Sequence, residues 1–163
     1  MNILIVGSGA REHAIARALH NSPKLKTLYC LASNNNPGLR NLCFDMRVTD
    51  INNNETILQY ARENDIYLAI IGPENPLASG VSDVLAESGI RVVGPTKEHS
   101  KIESSKSFAR DLLLEHKIPV CPKYRVFDSI KGVQEFLNNL GSDFVVKYDG
   151  LAGGKGVKVS GDH

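Results

Sequence analysis

From residue 2 to residue 93 the chain repeats one unit, a short apolar run followed by a segment with helical spacing. Asn2–Val6 is apolar and stops at a glycine turn; from Glu12 onward Ala14, Ile15, Ala18 and Leu19 fall on one stripe, which ends near Asn21-Ser22-Pro23. Thr27–Ala32 reads as a second buried strand, and the turn-rich stretch 33–38 follows it. Residues 43–48 read as a third strand, and 55–63 as a helix with Ile57, Leu58 and Ala61 inward. Residues 67–71 form a further strand closed by glycine; a helix over 77–88 then precedes Gly89 and the strand Arg91–Val93. Strands apolar on both faces that alternate with helices specify a parallel sheet covered on both sides. The expectation is one doubly wound α/β domain over residues 1–100.

Past Gly94-Pro95 the pattern changes. Residues 102–117 predict a helix of mixed charge that ends before Ile118-Pro119, 123–127 a strand, and 130–140 a helix. Two more strands, 144–148 and 157–160, flank a glycine-rich loop. Strands joined by such a loop form a hairpin rather than a βα unit, so residues 101–163 are expected to begin a second domain of different architecture.

Composition removes several function classes. A net charge of +1 without a dense Lys/Arg stripe argues against a nucleic-acid surface. Cys30, Cys43 and Cys121 make no C-x-x-C pair and no Cys/His metal spacing, which points to reduced thiols. No apolar run approaches membrane-spanning length and the first residues are strand-like, so a cytoplasmic protein is expected.

Three loops carry the candidate chemistry. Gly7-Ser8-Gly9-Ala10-Arg11-Glu12-His13 lies where a strand turns into a helix, a place that favours an anion or polar ligand because helix N-terminal N–H groups point outward. A dinucleotide fingerprint fails here: Glu12 replaces the third glycine, and the second strand ends in Ala32-Ser33-Asn34 with no acid for a ribose. His13 reads as a local hydrogen-bonding residue. In Gly72-Pro73-Glu74-Asn75-Pro76-Leu77, prolines on both sides restrain Glu74 at the mouth of a strand, where it could share a crevice with the first loop. Glu74 equally suits a plain helix start.

The stretch from Val145 to Val157 is the most specific. It is not a Walker A loop, because three residues separate Gly150 from Gly154-Lys155 and Gly156 stands where the magnesium-binding Ser/Thr would be. A glycine hairpin can instead fold its N–H groups over a triphosphate as a lid, with Lys147 on the strand and Lys155 at the tip.

The strand, lysine and glycine-loop arrangement resembles the nucleotide lid of the ATP-grasp superfamily. Taken in order with the first loop, Gly72-Pro73-Glu74-Asn75-Pro76-Leu77, Gly94-Pro95-Thr96 and Ser105-Lys106-Ser107-Phe108, it resembles the phosphoribosylamine–glycine ligase (glycinamide ribonucleotide synthetase) family. The resemblance implies a Rossmann-like pre-ATP-grasp domain that holds a phosphoribosyl substrate, followed by the start of an ATP-grasp domain. It implies ATP contacts at Lys106, Lys147, Gly150, Gly153, Gly154, Lys155 and Gly156, and substrate contacts at Gly7, Gly9, Arg11, Glu12, Gly72, Pro73 and Glu74. Implied small-molecule partners are 5-phosphoribosylamine, glycine and ATP, with no nucleic acid and no membrane.

The chain departs from the family's usual loop at Tyr148 and Gly153, where alanine is common; strand alternation would let Tyr148 face away from nucleotide. The family's ligands for magnesium or manganese and most of its glycine-contacting surface lie beyond residue 163. Contact with the remainder of a longer chain is therefore expected, and these 163 residues alone are not expected to turn over. Two other readings stay open: another ATP-grasp enzyme, such as a biotin carboxylase subunit or a formate-dependent transformylase, and a non-catalytic nucleotide-binding module.

Overall fold

The computed structural model describes residues 1–161. They belong to two units, Met1–Ser100 and Lys101–His163.

In the first unit β1 (Asn2–Val6), α1 (Ala10–His20), β2 (Thr27–Ala32), α2 (Pro37–Leu42), β3 (Asp45–Val48), α3 (Asn54–Glu63), β4 (Leu68–Ile71), α4 (Glu74–Ser79), α5 (Val81–Glu87) and β5 (Arg91–Val93) follow one another. All strand pairs are parallel, and their spatial order is β3-β2-β1-β4-β5. The order reverses at β1, so Val6 pairs with Leu31 on one side and Ile71 on the other. The turns after β1 and β4 therefore emerge side by side.

Strand alternation splits the core into two layers. Ile3 and Ile5 point with Leu28, Cys30 and Ala32 toward Ala16 and Leu39. Leu4 and Val6 point with Tyr29 and Leu31 toward Ile57, Ala61, Val81 and Leu85. Leu4, Ile5 and Val6 are wholly buried, as a central strand with helices on both sides requires. The doubly wound α/β class expected from the sequence is the class observed.

Three local expectations for this unit change. Part of the expected turn is a helix: Asn36 accepts hydrogen bonds from the Gly38 and Leu39 amides and Pro37 sits in the first turn, so α2 starts there. The expected single helix over 77–88 is two, because Gly80 adopts φ 96° and ends α4 while opening α5. On α3 the inward residues are Ile57, Tyr60 and Ala61, with Leu58 only partly covered. The Tyr60 hydroxyl donates to Asp45 at 2.8 Å, which lets a phenol occupy a core position.

Helix α6 (Lys97–Ser104) precedes α7 (Lys106–Glu115), α8 (Val133–Leu140), β6 (Val145–Lys147) and β7 (Val157–Val159). The expected continuous helix over 102–117 breaks at Ser105, whose side chain caps α7 by accepting from the Phe108 amide. The expected strand over 123–127 does not form. Its side chains pack on helices instead: Tyr124 donates to Asp111 at 2.6 Å and lies under Arg110, while Phe127 meets Phe136 edge-on at 5.7 Å. Strands β6 and β7 pair antiparallel, with Lys147 opposite Val157, as a hairpin requires.

Among the described residues of this second unit none is buried, and Leu114, Val120 and Ile130 are at least 70% exposed. No described helix is long and apolar enough to cross a membrane.

Candidate functional site

The first candidate site grows from the switch in strand order. The Gly7 amide bonds to the Leu31 carbonyl and the Gly72 amide to the Val6 carbonyl, so both turns prolong the sheet by one residue before leaving it. Glu12, on the first turn of α1, fills the space between them. It is 5% exposed, and its carboxylate accepts from the Gly9 amide at 2.6 Å. A Cβ at Gly72 would stand 2.1 Å from Glu12 Oε1, and one at Gly7 would stand 2.8 Å from both Glu12 Cγ and Pro73 Cδ. Gly7 also has φ 127°, a conformation costly for any other residue. The two glycines are thus the residues that admit the Glu12 side chain.

Arg11 completes the link by donating to the Gly72 carbonyl at 2.7 Å. The structure therefore brings Gly7, Gly9, Arg11, Glu12, Gly72 and Pro73 into one constellation at the carboxyl ends of β1 and β4, where open α/β sheets bind ligands. Glu74 stands at the first position of α4, half-buried, and its carboxylate makes no hydrogen bond to another described residue.

Sequence reasoning missed Asn36. Its amide nitrogen donates to the Ser8 carbonyl at 3.0 Å while its oxygen caps α2, so it braces the first loop from a different strand end. The His13 ring rests on Gly38, where a Cβ would come within 2.4 Å of the ring. The Cys30 thiol donates to the Gly7 carbonyl at 3.4 Å from below the same loop. Its neighbour Cys43 and its own burial push the Cys30 thiol well above the usual thiol range, so it stays neutral.

The second candidate site lies wholly within the second unit. The loop of residues 148–156 closes on itself: the Tyr148 amide donates to the Gly156 carbonyl at 2.8 Å, and the Lys155 amide to the Ala152 carbonyl at 2.9 Å. The Tyr148 ring lies against the loop, 2.7 Å from where a Gly150 Cβ would be, which accounts for glycine there. No atom lies near the Cβ positions of Gly153 and Gly154, so the tip is open on that side. Lys106 Nζ donates to the Gly150 carbonyl at 2.7 Å, which brings a lysine 44 residues away onto the loop. Lys147 on β6 and Lys155 at the tip are exposed and form no ion pair with a described residue.

Asp149, which sequence reasoning passed over, accepts at 2.6 Å from the Lys106 amide and at 3.2 Å from the Ser107 amide. Among the described residues no group of three His, Cys, Asp or Glu side chains could hold a metal ion.

A switch point in a parallel sheet, followed by a glycine hairpin with a lysine bonded to it, is the ground plan of the ATP-grasp class. Comparison with known proteins narrows it: residues 1–103 match the phosphoribosylglycinamide synthetase N domain, and residues 104–163 match the ATP-grasp (A) domain of the same synthetase. The chain belongs to the phosphoribosylglycinamide synthetase family.

A phosphoribosylamine–glycine ligase of Methanosarcina barkeri is 45% identical over 99% of this chain, which spans 37% of that protein. Among solved structures, N5-carboxyaminoimidazole synthetase from Staphylococcus aureus, complexed with ADP, superposes with a TM-score of 0.77 at 17% identity, covering 99% of this chain and 41% of that one. Phosphoribosylglycinamide synthetase from Anaerococcus prevotii superposes with a TM-score of 0.64 at 15% identity, covering 98% and 38%. These two likenesses establish the fold.

Proposed function

We propose that this chain is part of an enzyme that joins glycine to 5-phosphoribosylamine at the expense of ATP, giving glycinamide ribonucleotide, ADP and phosphate in purine biosynthesis. The reaction runs through phosphorylation of the glycine carboxylate; the amine of 5-phosphoribosylamine then displaces phosphate from the acyl phosphate. Such chemistry needs positioning and charge neutralisation more than a side-chain nucleophile.

In this reading the loop from Gly150 to Gly156, with Gly153, Gly154 and Lys155 at its tip, binds the ATP phosphates together with Lys106 and Lys147. Gly7, Gly9, Arg11, Gly72, Pro73 and Glu74 line the phosphoribosyl site. Glu12 contributes by holding the two turns together, since its carboxylate already has the Gly9 amide as partner. The observation that supports nucleotide binding most directly is the Lys106 bond to the Gly150 carbonyl, which brings a cation onto the glycine loop. Glu74, at the switch-point mouth with no hydrogen-bond partner among the described residues, suits a ribose hydroxyl or an amine.

A divalent cation would neutralise phosphate charge, but the described residues do not fit as its ligands. The uncovered apolar side chains of the second unit support contact with further chain of the same protein. A reduced, cytoplasmic setting belongs to the same reading and fits the three free cysteines.

The test is glycine-dependent ADP release by the whole natural polypeptide in the presence of 5-phosphoribosylamine. Lys155→Ala should raise the KM for ATP by about tenfold, the worth of one charge-assisted phosphate contact, without changing the melting temperature. ADP release that ignores glycine and responds to bicarbonate or formate would overturn the proposal.

A further inference from the structure

We propose that Asp149 is a positioning residue that fastens the glycine loop to the first turn of α7, holding the loop and Lys106 in one arrangement. The proposal rests on the reading of that loop as the nucleotide lid.

The geometry is a convergence of donors from one helix end onto one carboxylate. Oδ1 accepts from the Lys106 amide at 2.6 Å and the Ser107 amide at 3.2 Å. Oδ2 accepts a hydrogen bond from the Ser107 hydroxyl. The Ser105 hydroxyl lies 3.3 Å from both carboxylate oxygens and 3.1 Å from the Ser107 oxygen. Each serine has one proton to give. Ser107 spends its proton on Asp149, so its oxygen is free to accept from Ser105, whose proton is shared between Ser107 and the carboxylate.

An ordinary cap would not need this residue. Ser105 is already the local cap, and its oxygen accepts from the Phe108 amide at 3.2 Å. Asp149 satisfies the two preceding amides, which no local side chain reaches, from 42 and 43 residues away. The very next residue makes a second fastening in the opposite sense, because the Gly150 carbonyl accepts from Lys106 Nζ at 2.7 Å. Lys106 is thereby gripped at both ends, by its amide and by its ammonium, and both grips are on the root of the loop. The loop beyond is different: Gly153 and Gly154 adopt positive φ with open space beside them. The root is fastened and the tip is open, as a lid that closes over a ligand needs.

The carboxylate stays ionised in this setting. The Ser107 hydroxyl, followed by the backbone amides, holds its pKa below the usual aspartate value, and a negative charge at a helix N-terminus is favourable.

The experiment uses Asp149→Asn, which keeps the shape and replaces one acceptor oxygen with a donor. In the nucleotide-free protein the Tyr148 and Lys155 amides, which close the loop, should exchange hydrogen about tenfold faster than in the unsubstituted protein, the size of one charge-assisted bond. Amides of β1 and β4 should be unaffected. Ser107→Ala, which leaves the carboxylate in place, should shift the same two amides in the same direction by less. In the whole polypeptide Asp149→Asn should raise the KM for ATP by about tenfold, leave the KM for glycine within about twofold, and have little further effect once Lys106→Gln is present. Unchanged exchange of Tyr148 and Lys155 in Asp149→Asn would overturn the proposal, as would equal rises in both KM values. If the unsubstituted protein shows no ATP-dependent reaction, the lid reading fails, while the exchange measurement still decides the fastening.

Discussion

Replacing Gly72 by alanine tests the packing of the first candidate site. A Cβ there would stand 2.1, 2.6 and 2.7 Å from the Oε1, Cδ and Cγ atoms of Glu12, and the three nearest heavy atoms all belong to that side chain. Glu12 cannot step aside cheaply, because its carboxylate is buried and bound to the Gly9 amide at 2.6 Å. Overpacking costs about 1–3 kcal/mol and losing the charge-assisted bond from the Gly9 amide about 1–3 more, so Gly72→Ala should destabilise by roughly 2–6 kcal/mol. Glu12→Ala alone loses the bond and leaves a gap, for about 2–4 kcal/mol.

The double variant separates this account from a general intolerance of the turn. With Glu12 gone the three nearest obstructions to the new methyl group are gone with it, and the Gly72 backbone lies outside the positive-φ region that disfavours alanine. Adding Gly72→Ala to Glu12→Ala should therefore cost less than about 0.5 kcal/mol, a coupling of about 1.5 kcal/mol or more. The assay is equilibrium urea unfolding of the four proteins, with hydrogen exchange of β1 and β4 amides reporting on this unit alone. Additivity within about 0.5 kcal/mol would refute the argument.

Other outcomes follow from the same geometry. Tyr60 donates to Asp45, and burial followed by that bond raises its pKa. A raised folded pKa gives stability that is complete below the ordinary tyrosine value, about 10, and is lost as the pH climbs past it. Unfolding curves taken through that window should show the loss, and Tyr60→Phe should cost about 1 kcal/mol at neutral pH and flatten the dependence. An identical alkaline slope in both proteins would remove Tyr60 as its source. For the neighbouring thiols, the interaction with the Cys30 side chain lowers the Cys43 pKa, while Cys30 itself is raised and wholly buried and Cys43 is only half-buried. Iodoacetamide should therefore label Cys43 in the native protein and reach Cys30 only on unfolding; mass mapping that finds equal rates would contradict the assignment.

Much of this architecture is local and was legible. The apolar runs of β1, β2 and β4 announce covered parallel strands because each is short, apolar on both faces and ended by a turn. The order of family motifs, from Gly7 to Gly156, was legible for the same reason: each motif is a contiguous stretch. The failures are equally specific. The stretch 123–127 has strand-like residues but no strand to pair with among the described residues, so its aromatic rings chose α7 and α8. The helix expected over 102–117 broke at Ser105 because a side chain satisfied the Phe108 amide there, and a capping serine looks like any other serine until its partner is placed.

What the sequence determined by itself is the class of each segment and the identity of the loops, since period, turn chemistry and motif spacing are written along the chain. What only the tertiary structure decided is the role of the charged residues inside those loops. Glu12 reads as a candidate ligand in the sequence, and only the fold shows that it also packs between two turns, because Gly72 lies 60 residues away and is brought beside it by strand pairing. Asp149 reads as nothing in particular, and its carboxylate meets the amides of Lys106 and Ser107 only once the hairpin has folded back onto α7. A side chain's chemistry is fixed by its residue type, but its partners are set by contacts across the fold, and those contacts leave no period in the sequence.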